Sequence, residues 1–328
     1  MDWNRRAFVG SLLGGVVGSV GGCSVLGPGS AAFGSPGLEV GEESTRARVG
    51  HPERRPTTNR APTPLPRGFE RMRVSRDGLE RESLLYVPRG VREPRPLLVA
   101  IHGNNGSANV MYGRHALADL VRDQDWYGLF PETDVWLPDD PNPDVGDHRY
   151  LSQALNDVLE SRDVDASRVF VVGFSGGGKK AYLLAARSSD RVAGIAVCGS
   201  RIGHRSVGES AAWDPTTQHA QPMSILHIHG RRDTRVNPDG GPDSRHPGMT
   251  GVGMIEGLEL WANHMGAVEE VRARRPEECP DRVRTRMWST TSGHKLVGVL
   301  DPELGHAWPD YMNRAVMRFI RNAPPRDV

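Results

Sequence analysis

The segment from Val169 to Gly178 constrains the fold of this chain more than any other. It reads VFVVGFSGGG, so a run of apolar, β-forming residues leads directly into Gly-x-Ser-x-Gly and then into a glycine-rich helix start. A strand, a sharp turn and a helix in this order are typical of a nucleophile elbow, which lifts the hydroxyl of Ser175 above the edge of a sheet. Such a turn strains the backbone at Ser175. It also requires Gly173 and Gly177, because side chains there would collide with the neighbouring strand and helix.

The same residues permit an alternative interpretation as a phosphate-binding loop. Gly173, Gly178 and Lys179 match the pattern G-x-x-x-x-G-K, also between a strand and a helix. The match fails at Lys180, where the pattern requires a Ser or Thr to hold magnesium, and two predicted strands already precede the loop. A nucleotide-binding protein that uses Gly173–Lys179 is therefore an alternative, as is an inactive domain whose idle serine lies in a glycine-rich turn and which serves as a binding module.

Apolar runs and helical periodicities alternate along the chain. Continuous apolar runs such as 97–101 suit parallel strands that are buried on both faces. Strands are predicted at 82–88, 97–101, 169–172, 192–197, 225–228 and 296–300, and helices at 150–159, 181–186, 253–265 and 310–320. This alternation predicts an α/β fold with a mainly parallel sheet and helices on both of its faces.

Residues 1–22 have the features of an export signal. Arg5 and Arg6 precede an uncharged stretch, 7–22, that is too short and too rich in glycine for a membrane span of about 20 apolar residues. The pattern predicts a twin-arginine-like signal peptide. Because its end, Val-Gly-Gly-Cys, resembles a lipoprotein lipobox, we predict lipidation of Cys23; an ordinary signal peptide cut near Cys23 is the alternative. Either interpretation predicts an extracytoplasmic protein, anchored to a membrane through its lipid or secreted.

Residues 23–66 separate this signal from a predicted folded domain at 67–324. From residue 24 to residue 66 the only aromatic residue is Phe33, and Pro and Gly are frequent. Such a segment buries too little apolar surface to offset the entropy lost on ordering. We predict a disordered tether.

Charge and cysteine content limit the partners of the chain. The net charge of +1, from 41 Lys and Arg against 40 Asp and Glu, gives no reason to expect nucleic acid. No spacing of Cys and His resembles a zinc site, so we predict no metal. If Cys23 is lipidated, Cys198 and Cys279 could form a disulfide in an oxidising compartment.

A catalytic serine of this type needs an acid and then a base later in the chain. Asp233 closely follows the strand predicted at 225–228 and its His-Gly turn, so it is the predicted acid. Its role would be to fix one imidazole tautomer and to stabilise the imidazolium. Asp239 and Asp243 are alternative acids, deeper in a loop rich in Pro and Gly, and a turn-capping role is the alternative for Asp233.

The predicted base is His306. It follows the last predicted strand and precedes the last predicted helix, where the base of such a site belongs. His246, His264 and His294 also lie after Asp233, but in a loop, within a helix and before the last strand. A surface or core histidine is the alternative interpretation of His306.

The oxyanion of an acyl-transfer reaction needs two N–H donors. We predict the backbone N–H groups of Gly176, next to the serine, and of Asn104, in the turn after the strand at 97–101. His102 is predicted to shape that turn. Trp308 and Trp213 could form an aromatic wall for the substrate, and burial in the core is the alternative for either.

With these residues the chain resembles the family of secreted polyhydroxybutyrate depolymerases, feruloyl esterases and acetylxylan esterases, over roughly residues 67–322. The segments that carry the resemblance are PLLVAIHG at 96–103, VDASRVFVVGFSGGG at 164–178, HGRRDTRVNP at 229–238 and GHAWP at 305–309. The resemblance implies one α/β-hydrolase domain without a cofactor, the catalytic residues Ser175, Asp233 and His306, and ester substrates that are polymeric or attached to polysaccharide.

The chain departs from that family at several positions. The family often has Cys where this chain has Asn104 and Ala267, which would leave Cys279 without its usual partner. Lys179 and Lys180 make an unusually basic helix start. The predicted function is a serine carboxylic-ester hydrolase that acts through an acyl-enzyme on an extracytoplasmic ester, and a peptidase of the same fold is the alternative within the enzyme class.

Overall fold

The computed structural model describes residues 65–76, 79–90, 92–133, 143–206, 220–242 and 249–327. The predicted signal peptide (1–22), its Cys23 and nearly all of the predicted tether (23–66) lie outside these residues, so the domain boundaries stay predictions. Among the helices described, none has both the length and the apolar character needed to cross a lipid bilayer.

Thirteen strands and five α-helices make up the regular structure of the described residues. The strands are β1 (Phe69–Arg76), β2 (Leu79–Tyr86), β3 (Arg95–Ile101), β4 (Tyr127–Pro131), β5 (Val164–Phe174), β6 (Gly194–Cys198), β7 (His204–Ser206), β8 (Ser224–Gly230), β9 (Gly241–Pro242), β10 (Met249–Gly251), β11 (Val268–Glu269), β12 (Arg284–Ser289) and β13 (Lys295–Asp301). The α-helices are α1 (Leu117–Gln124), α2 (Pro143–Ser161), α3 (Gly176–Arg187), α4 (Met254–His264) and α5 (Met312–Asn322), and a π-helical turn covers Val110–Arg114.

Ten of these strands form one sheet in the order β1-β2-β4-β3-β5-β6-β8-β13-β12-β11. The six from β4 to β13 in that order run parallel. At the two ends, β2 and β1 and then β12 and β11 pair antiparallel. The strands β7, β10 and β9 form a separate antiparallel sheet. The mainly parallel sheet confirms the predicted α/β class.

The helices pack on both faces of the large sheet, because successive strand residues point to opposite faces. In β5, Val169 and Val171 belong to an apolar layer that includes residues of α2, α3 and α4. Phe170 and Val172 belong to a second layer with residues of α1 and α5. Each fully buried apolar side chain of this size contributes about 1.5–3 kcal/mol, which explains why the central strands are continuously apolar in sequence.

The carboxyl ends of the parallel strands lie along one edge of the sheet. The candidate site residues lie on the loops that follow these ends. Ile101 of β3 pairs with Gly173 of β5, so the loop after β3 starts beside Ser175. Gly230 at the end of β8 pairs with Asp301 at the end of β13. The loops that follow β8 and β13 therefore also start side by side.

All the predicted strands and helices are present, with shifted ends. The helix predicted at 150–159, for example, is the central part of α2, which spans Pro143–Ser161. In contrast, β1, α1, β4 and β12 have no counterpart among the predictions. The reason is clearest for β1, which reads FERMRVSR at the edge of the sheet. Polar and apolar residues mix there because one face of an edge strand meets solvent, so no continuous apolar run arises.

Candidate active site

Ser175 joins β5 to α3 in a strained backbone conformation, with φ 53° and ψ −122°. A non-glycine residue in such a region costs about 1–3 kcal/mol unless its surroundings hold it there. The Ser175 N–H donates to the carbonyl oxygen of Cys198 at 3.0 Å, and the Ser175 carbonyl oxygen accepts from the Gly178 N–H at 3.0 Å and the Ser200 hydroxyl at 2.8 Å. These contacts maintain the sharp turn expected from the sequence.

Two glycines of the turn have no room for a side chain. A Cβ atom on Gly173 would lie 2.4 Å from the carbonyl oxygen of Gly177. A Cβ atom on Gly177 would lie 2.2 Å from the carbonyl oxygen of Ile101. Because both obstacles are backbone atoms of the adjoining helix and strand, neither can move aside, and the expected requirement for glycine is confirmed.

The same turn is poorly suited to bind phosphate. The N–H groups of Gly178 and Lys179 donate to the Ser175 carbonyl oxygen, at 3.0 and 3.4 Å, and are therefore already paired within the turn. The Lys180 ammonium lies 3.3 Å from Asp147, in an ion pair whose side chains are 4% and 3% exposed. The local geometry thus disfavours the phosphate-binding alternative, and it explains Lys180 as part of a buried ion pair.

The structure brings Ser175, Asp233 and His306 together from three separate loops. The His306 Nδ1 atom lies 2.7 Å from Asp233 Oδ2, and Nε2 lies 2.9 Å from Ser175 Oγ. A carboxylate only accepts hydrogen bonds, so Nδ1 carries the hydrogen. Nε2 then presents its lone pair to the serine hydroxyl, which donates to it. This is the tautomer that a general base requires.

The competing acids and bases lie elsewhere. The Nε2–H of His264 donates to the carbonyl oxygen of Ala220 at 2.6 Å. His294 immediately precedes β13, at the opposite edge of the sheet from the serine. Asp239 forms an ion pair with Arg231 at 2.6 Å. The described residues do not include the remaining two alternatives, Asp243 and His246.

The Asp233 carboxylate is buried and accepts hydrogen bonds at both oxygens. Oδ1 accepts from the N–H groups of Arg235 at 2.9 Å and Val236 at 2.8 Å. Oδ2 accepts from His306 and lies 3.2 Å from His229 Nε2. Burial alone would raise the pKa of Asp233, but these donors outweigh it and hold the pKa well below its usual range. Asp233 therefore caps its own turn and also faces His306 as an anion, so the geometry is compatible with both interpretations of this residue.

A buried series of hydrogen bonds continues behind Asp233. The Tyr182 hydroxyl lies 2.9 Å from His227 Nδ1, and His227 Nε2 lies 3.3 Å from His229 Nδ1. His229 Nε2 faces two acceptors, the Val236 carbonyl oxygen at 2.9 Å and Asp233, so it carries the hydrogen. Burial and the neighbouring His229 lower the pKa of His227 well below its usual value. Hydrogen bonds can then run in one direction from Tyr182 to Asp233.

The sequence contains one signal of this series. His227 and His229 alternate along β8 and therefore lie on the same face of the sheet. Two imidazoles on a face that is otherwise apolar must be hydrogen-bonded inside the core, since an unpaired buried polar group is costly. Their partner Tyr182 comes from α3, and no sequence pattern relates it to β8.

His102 holds the loop after β3 in place through hydrogen bonds. The Thr133 N–H donates to His102 Nε2 at 3.0 Å, so the imidazole carries its hydrogen on Nδ1, which donates to the Gly103 carbonyl oxygen at 2.8 Å. The Ala108 N–H donates to the Glu132 carboxylate at 3.0 Å. The end of β4 therefore fixes both halves of this loop, in agreement with the shaping role expected of His102.

Asn104 lies directly against Gly176. A Cβ atom on Gly176 would lie 1.7 Å from Asn104 Oδ1, so the Asn104 side chain would have to move to admit any other residue there. Gly176 is the first residue of α3, so its N–H has no acceptor within the helix. It also lies at the positive end of the helix dipole. Gly176 and Asn104, whose backbone N–H groups are the predicted donors, are thus neighbours beside Ser175, and their role as donors stays a prediction.

The described residues around Ser175 line a cavity of about 1020 Å³. Trp308, His115 and Phe174 form its aromatic side, and the ring centres of His115 and Trp308 are 4.9 Å apart. The Trp308 Nε1–H donates to Asn313 Oδ1 at 3.0 Å, and the Asn313 amide donates to the His115 carbonyl oxygen at 2.8 Å. Trp308 therefore lines the cavity and is held there through Asn313, its role as a wall for the substrate stays a prediction, and His115 was not foreseen beside it.

The cysteines and the second tryptophan complete the comparison with the sequence. Cys198 and Cys279 are both buried free thiols, so the possible disulfide does not form in the structure. The Cys198 thiol donates to the carbonyl oxygen of Ala307 at 3.4 Å, next to His306. Trp213 lies outside the described residues. Within the residues that the structure describes, no cluster of His, Cys, Asp and Glu could hold a metal ion.

The α/β-hydrolase fold has a mainly parallel sheet covered by helices on both faces, and this structure has the same architecture. The serine elbow follows β5, the acid follows β8 and the histidine follows β13. The order serine, acid, histidine along the chain is also the order of that fold. The fold class implied by the sequence is confirmed.

No protein-family model matches the chain. It is 24% identical over 160 residues to the bifunctional acetylxylan esterase/xylanase XynS20E of Neocallimastix patriciarum, covering 49% of this chain and 22% of that protein. It is 26% identical over 246 residues to feruloyl esterase B of Neurospora crassa, covering 68% of this chain and 82% of the relative. The structure matches an acetyl xylan esterase from Aspergillus awamori with a TM-score of 0.51 at 16% identity, over 74% of this chain and 94% of that one.

These similarities confirm the expected resemblance to acetylxylan and feruloyl esterases. The structural match supports the fold alone. At 16% identity it carries no information on activity. The chain spans only 22% of the length of XynS20E, so the activity of that whole protein does not transfer to it. The polyhydroxybutyrate depolymerase part of the resemblance stays a prediction.

Proposed function

We propose that this protein is a serine carboxylic-ester hydrolase that forms an acyl-enzyme on an extracytoplasmic ester. The observation that carries the proposal is the hydrogen-bonded series Asp233–His306–Ser175, with distances of 2.7 and 2.9 Å, at a strained elbow. An idle serine in a binding module would need neither the buried anion behind His306 nor the strained backbone. The esterase names of the relatives add support.

In the first half of the proposed reaction, Ser175 Oγ attacks the ester carbonyl carbon while His306 Nε2 takes the hydroxyl proton. Asp233 stabilises the imidazolium that results. Negative charge develops on the carbonyl oxygen, and the N–H groups of Gly176 and Asn104 are the proposed donors to it. Removing one such donor typically costs about 2.7–4 kcal/mol of barrier lowering.

In the second half, His306 gives its proton to the leaving alcohol, and the acyl group stays on Ser175. A water molecule then donates a proton to His306 and attacks the acyl carbon. The tetrahedral intermediate collapses and returns the proton to Ser175. Every proton moves between the substrate, Ser175, His306 and water, so the cycle needs no metal and no organic cofactor.

The substrate that we propose is an acetyl, feruloyl or polyhydroxyalkanoate-type ester of a polymer. The half-buried Trp308 and His115 rings support an aromatic or sugar-like group beside the serine, because flat apolar rings stack on such surfaces.

We also propose that the protein acts outside the cytoplasm and is held at a membrane by a lipid on Cys23. Incorporation of labelled palmitate by the full chain, but not by Cys23→Ala, is the expected result; equal labelling of both would contradict the anchor.

The decisive experiment compares the wild type with Ser175→Ala and with Ser292→Ala, a control at an exposed serine on the β12–β13 turn. We expect a fluorophosphonate probe to label the wild type and Ser292→Ala, and both to hydrolyse 4-nitrophenyl acetate. Ser175→Ala should lose labelling and turnover together while keeping its thermal unfolding transition. A folded wild type that neither reacts with the probe nor hydrolyses the ester would refute the proposal. Faster cleavage of a 4-nitroanilide than of the matching ester would indicate the peptidase alternative.

A further inference from the structure

The turn that bears Asp233 also carries three arginines, and they differ in their surroundings. Arg231 forms an ion pair with Asp239 at 2.6 Å and is not among the residues that line the cavity. Arg232 and Arg235 are exposed and do line the cavity with Ser175. In the part of the chain that the structure describes, neither of these two guanidinium groups has a carboxylate partner. Two arginines therefore lie at the cavity, and among the described residues neither has an ion-pair partner.

The backbone of both arginines is fixed relative to the candidate triad. The Arg232 N–H donates to the Leu304 carbonyl oxygen at 3.0 Å, in the loop that also carries His306. The Arg235 N–H donates to Asp233 Oδ1 at 2.9 Å. The backbone of Arg235 is thus held by Asp233 itself, and the backbone of Arg232 by the loop that carries His306.

The charge of the cavity favours an anion. Its ionisable lining residues among those described are His115, Arg232, Arg235, His306 and Asp310. The lining thus contains two guanidinium groups, which stay charged at any ordinary pH, and one carboxylate, that of Asp310. A cleft lined mainly by one sign of charge attracts a substrate of the opposite sign, and a guanidinium offers paired N–H donors to a carboxylate.

From this arrangement, which rests on the proposed esterase function, we propose that Arg232 and Arg235 select esters that carry a carboxylate near the scissile bond. Neutral esters of the same shape react at the same serine without this contact. The arginines are thus specificity-determining residues, and the reaction steps do not use them.

The test compares two pairs of esters that differ in one charge. The first pair, mono-4-nitrophenyl adipate and its neutral methyl ester, places the carboxylate in the acyl group. The second pair, 4-acetoxybenzoate and its methyl ester, places it in the leaving group. The variants are Arg232→Gln/Arg235→Gln and the matched control Arg231→Gln. Within each ester, only the ratio of variant to wild-type kcat/KM is used, so the different intrinsic reactivities of the esters cancel.

We expect the double variant to lower kcat/KM for the carboxylate ester of one pair about five- to tenfold, because each exposed ion pair contributes up to about fivefold and the variant removes two. The neutral partner and the Arg231→Gln control should change less than about twofold. Raising the ionic strength from about 0.05 M to about 0.5 M should slow the wild type on the charged ester and leave the double variant unaffected. The pair that responds identifies whether the anion belongs to the acyl or the alcohol part.

Equal changes for charged and neutral esters, or no change for either pair, would overturn the proposal. If Ser175-dependent hydrolysis of the neutral esters persists in that case, only the charge selection is wrong. If no ester of either pair is hydrolysed in a Ser175-dependent way, the proposed function itself fails and the inference with it. An unchanged unfolding temperature in both variants shows that the effects do not arise from loss of fold.

Discussion

Replacing His229 by leucine removes one of the four N–H groups that face the Asp233 carboxylate. His229 Nε2 lies 3.2 Å from Asp233 Oδ2, the same oxygen that accepts from His306. The imidazole is fully buried, so no water replaces it readily. Leucine fills a similar volume and has no polar atom. The variant thus leaves Asp233 with one donor fewer at the oxygen that orients His306.

The expected loss of activity follows from these contacts. A hydrogen bond to a charged group contributes about 1.5–3 kcal/mol, which is about 10- to 150-fold in rate if it is felt entirely in the transition state. The N–H groups of Arg235 and Val236 still hold Oδ1, so the carboxylate cannot rotate freely. We therefore expect the lower part of this range, a fall in kcat of about 10- to 30-fold with KM unchanged.

The assay is steady-state hydrolysis of 4-nitrophenyl acetate, together with the low-field proton NMR signal of the His306 Nδ1–H. That signal should shift in His229→Leu, because Asp233 Oδ2 has lost its second donor. His229→Gln can keep an N–H near the position of Nε2 and should restore kcat to within about threefold of the wild type. A folded His229→Leu with wild-type kcat and an unmoved signal would refute the positioning role.

Tyr182→Phe is the matched control at the far end of the series. It removes only the hydroxyl that lies 2.9 Å from His227 and leaves every contact of Asp233 in place. We expect it to lower the free energy of unfolding by about 1 kcal/mol and to leave kcat unchanged. Equal losses of kcat in Tyr182→Phe and His229→Leu would indicate general damage to the core.

Three further predictions test other parts of the structure. Gly177→Ala should destabilise the fold by about 3 kcal/mol, because its Cβ would lie 2.2 Å from the Ile101 carbonyl oxygen. In the control Gly113→Ala the added Cβ has no atom within 4 Å, so this variant should unfold at the wild-type temperature. Equal unfolding temperatures for the two variants would contradict the elbow geometry. Burial and nearby arginines lower the pKa of His148 to about 4. The unfolded state therefore binds an extra proton below its ordinary pKa of about 6.5, and stability should fall by about 2 kcal/mol from pH 8 to pH 5 in urea titrations, less so in His148→Gln; the same pH dependence in both proteins would refute this assignment. Trp308→Ala should lower kcat/KM for feruloyl esters about fivefold more than for acetyl esters, and an equal effect on both would exclude the wall as a binding surface.

The central strands and the elbow could be predicted from the sequence because their causes are local. A strand buried on both faces must be apolar at every position, and β5 shows this directly as Val-Phe-Val-Val. The Gly-x-Ser-x-Gly turn requires glycine through contacts with its own helix and the adjacent strand. The chain order of serine, acid and histidine relative to the strands also placed Ser175, Asp233 and His306 on loops at one edge of the sheet.

Elements with mixed composition could not be predicted in this way. β4 reads YGLFP, a short run with Gly and Pro, yet all five residues are buried between β2 and β3. The neighbouring strands supply the hydrogen bonds and apolar contacts that stabilise β4, and its own sequence does not indicate them. The next residues, Glu132 and Thr133, then hold the loop after β3, so the shape of the candidate oxyanion site depends on a strand without a sequence signal.

Only the tertiary structure decided which polar side chains meet. The sequence offered several candidates for the catalytic acid and for the base. Choosing the base depends on the distance between Ser175 and His306, which are 131 residues apart in the chain. The link from Tyr182 through His227 to His229 and the free state of the cysteines depend equally on packing between α3, β8 and their neighbours. Local propensity acts over a few residues, whereas a hydrogen bond needs two atoms about 3 Å apart. Strand register and helix packing set such distances, and no pattern within one segment contains them.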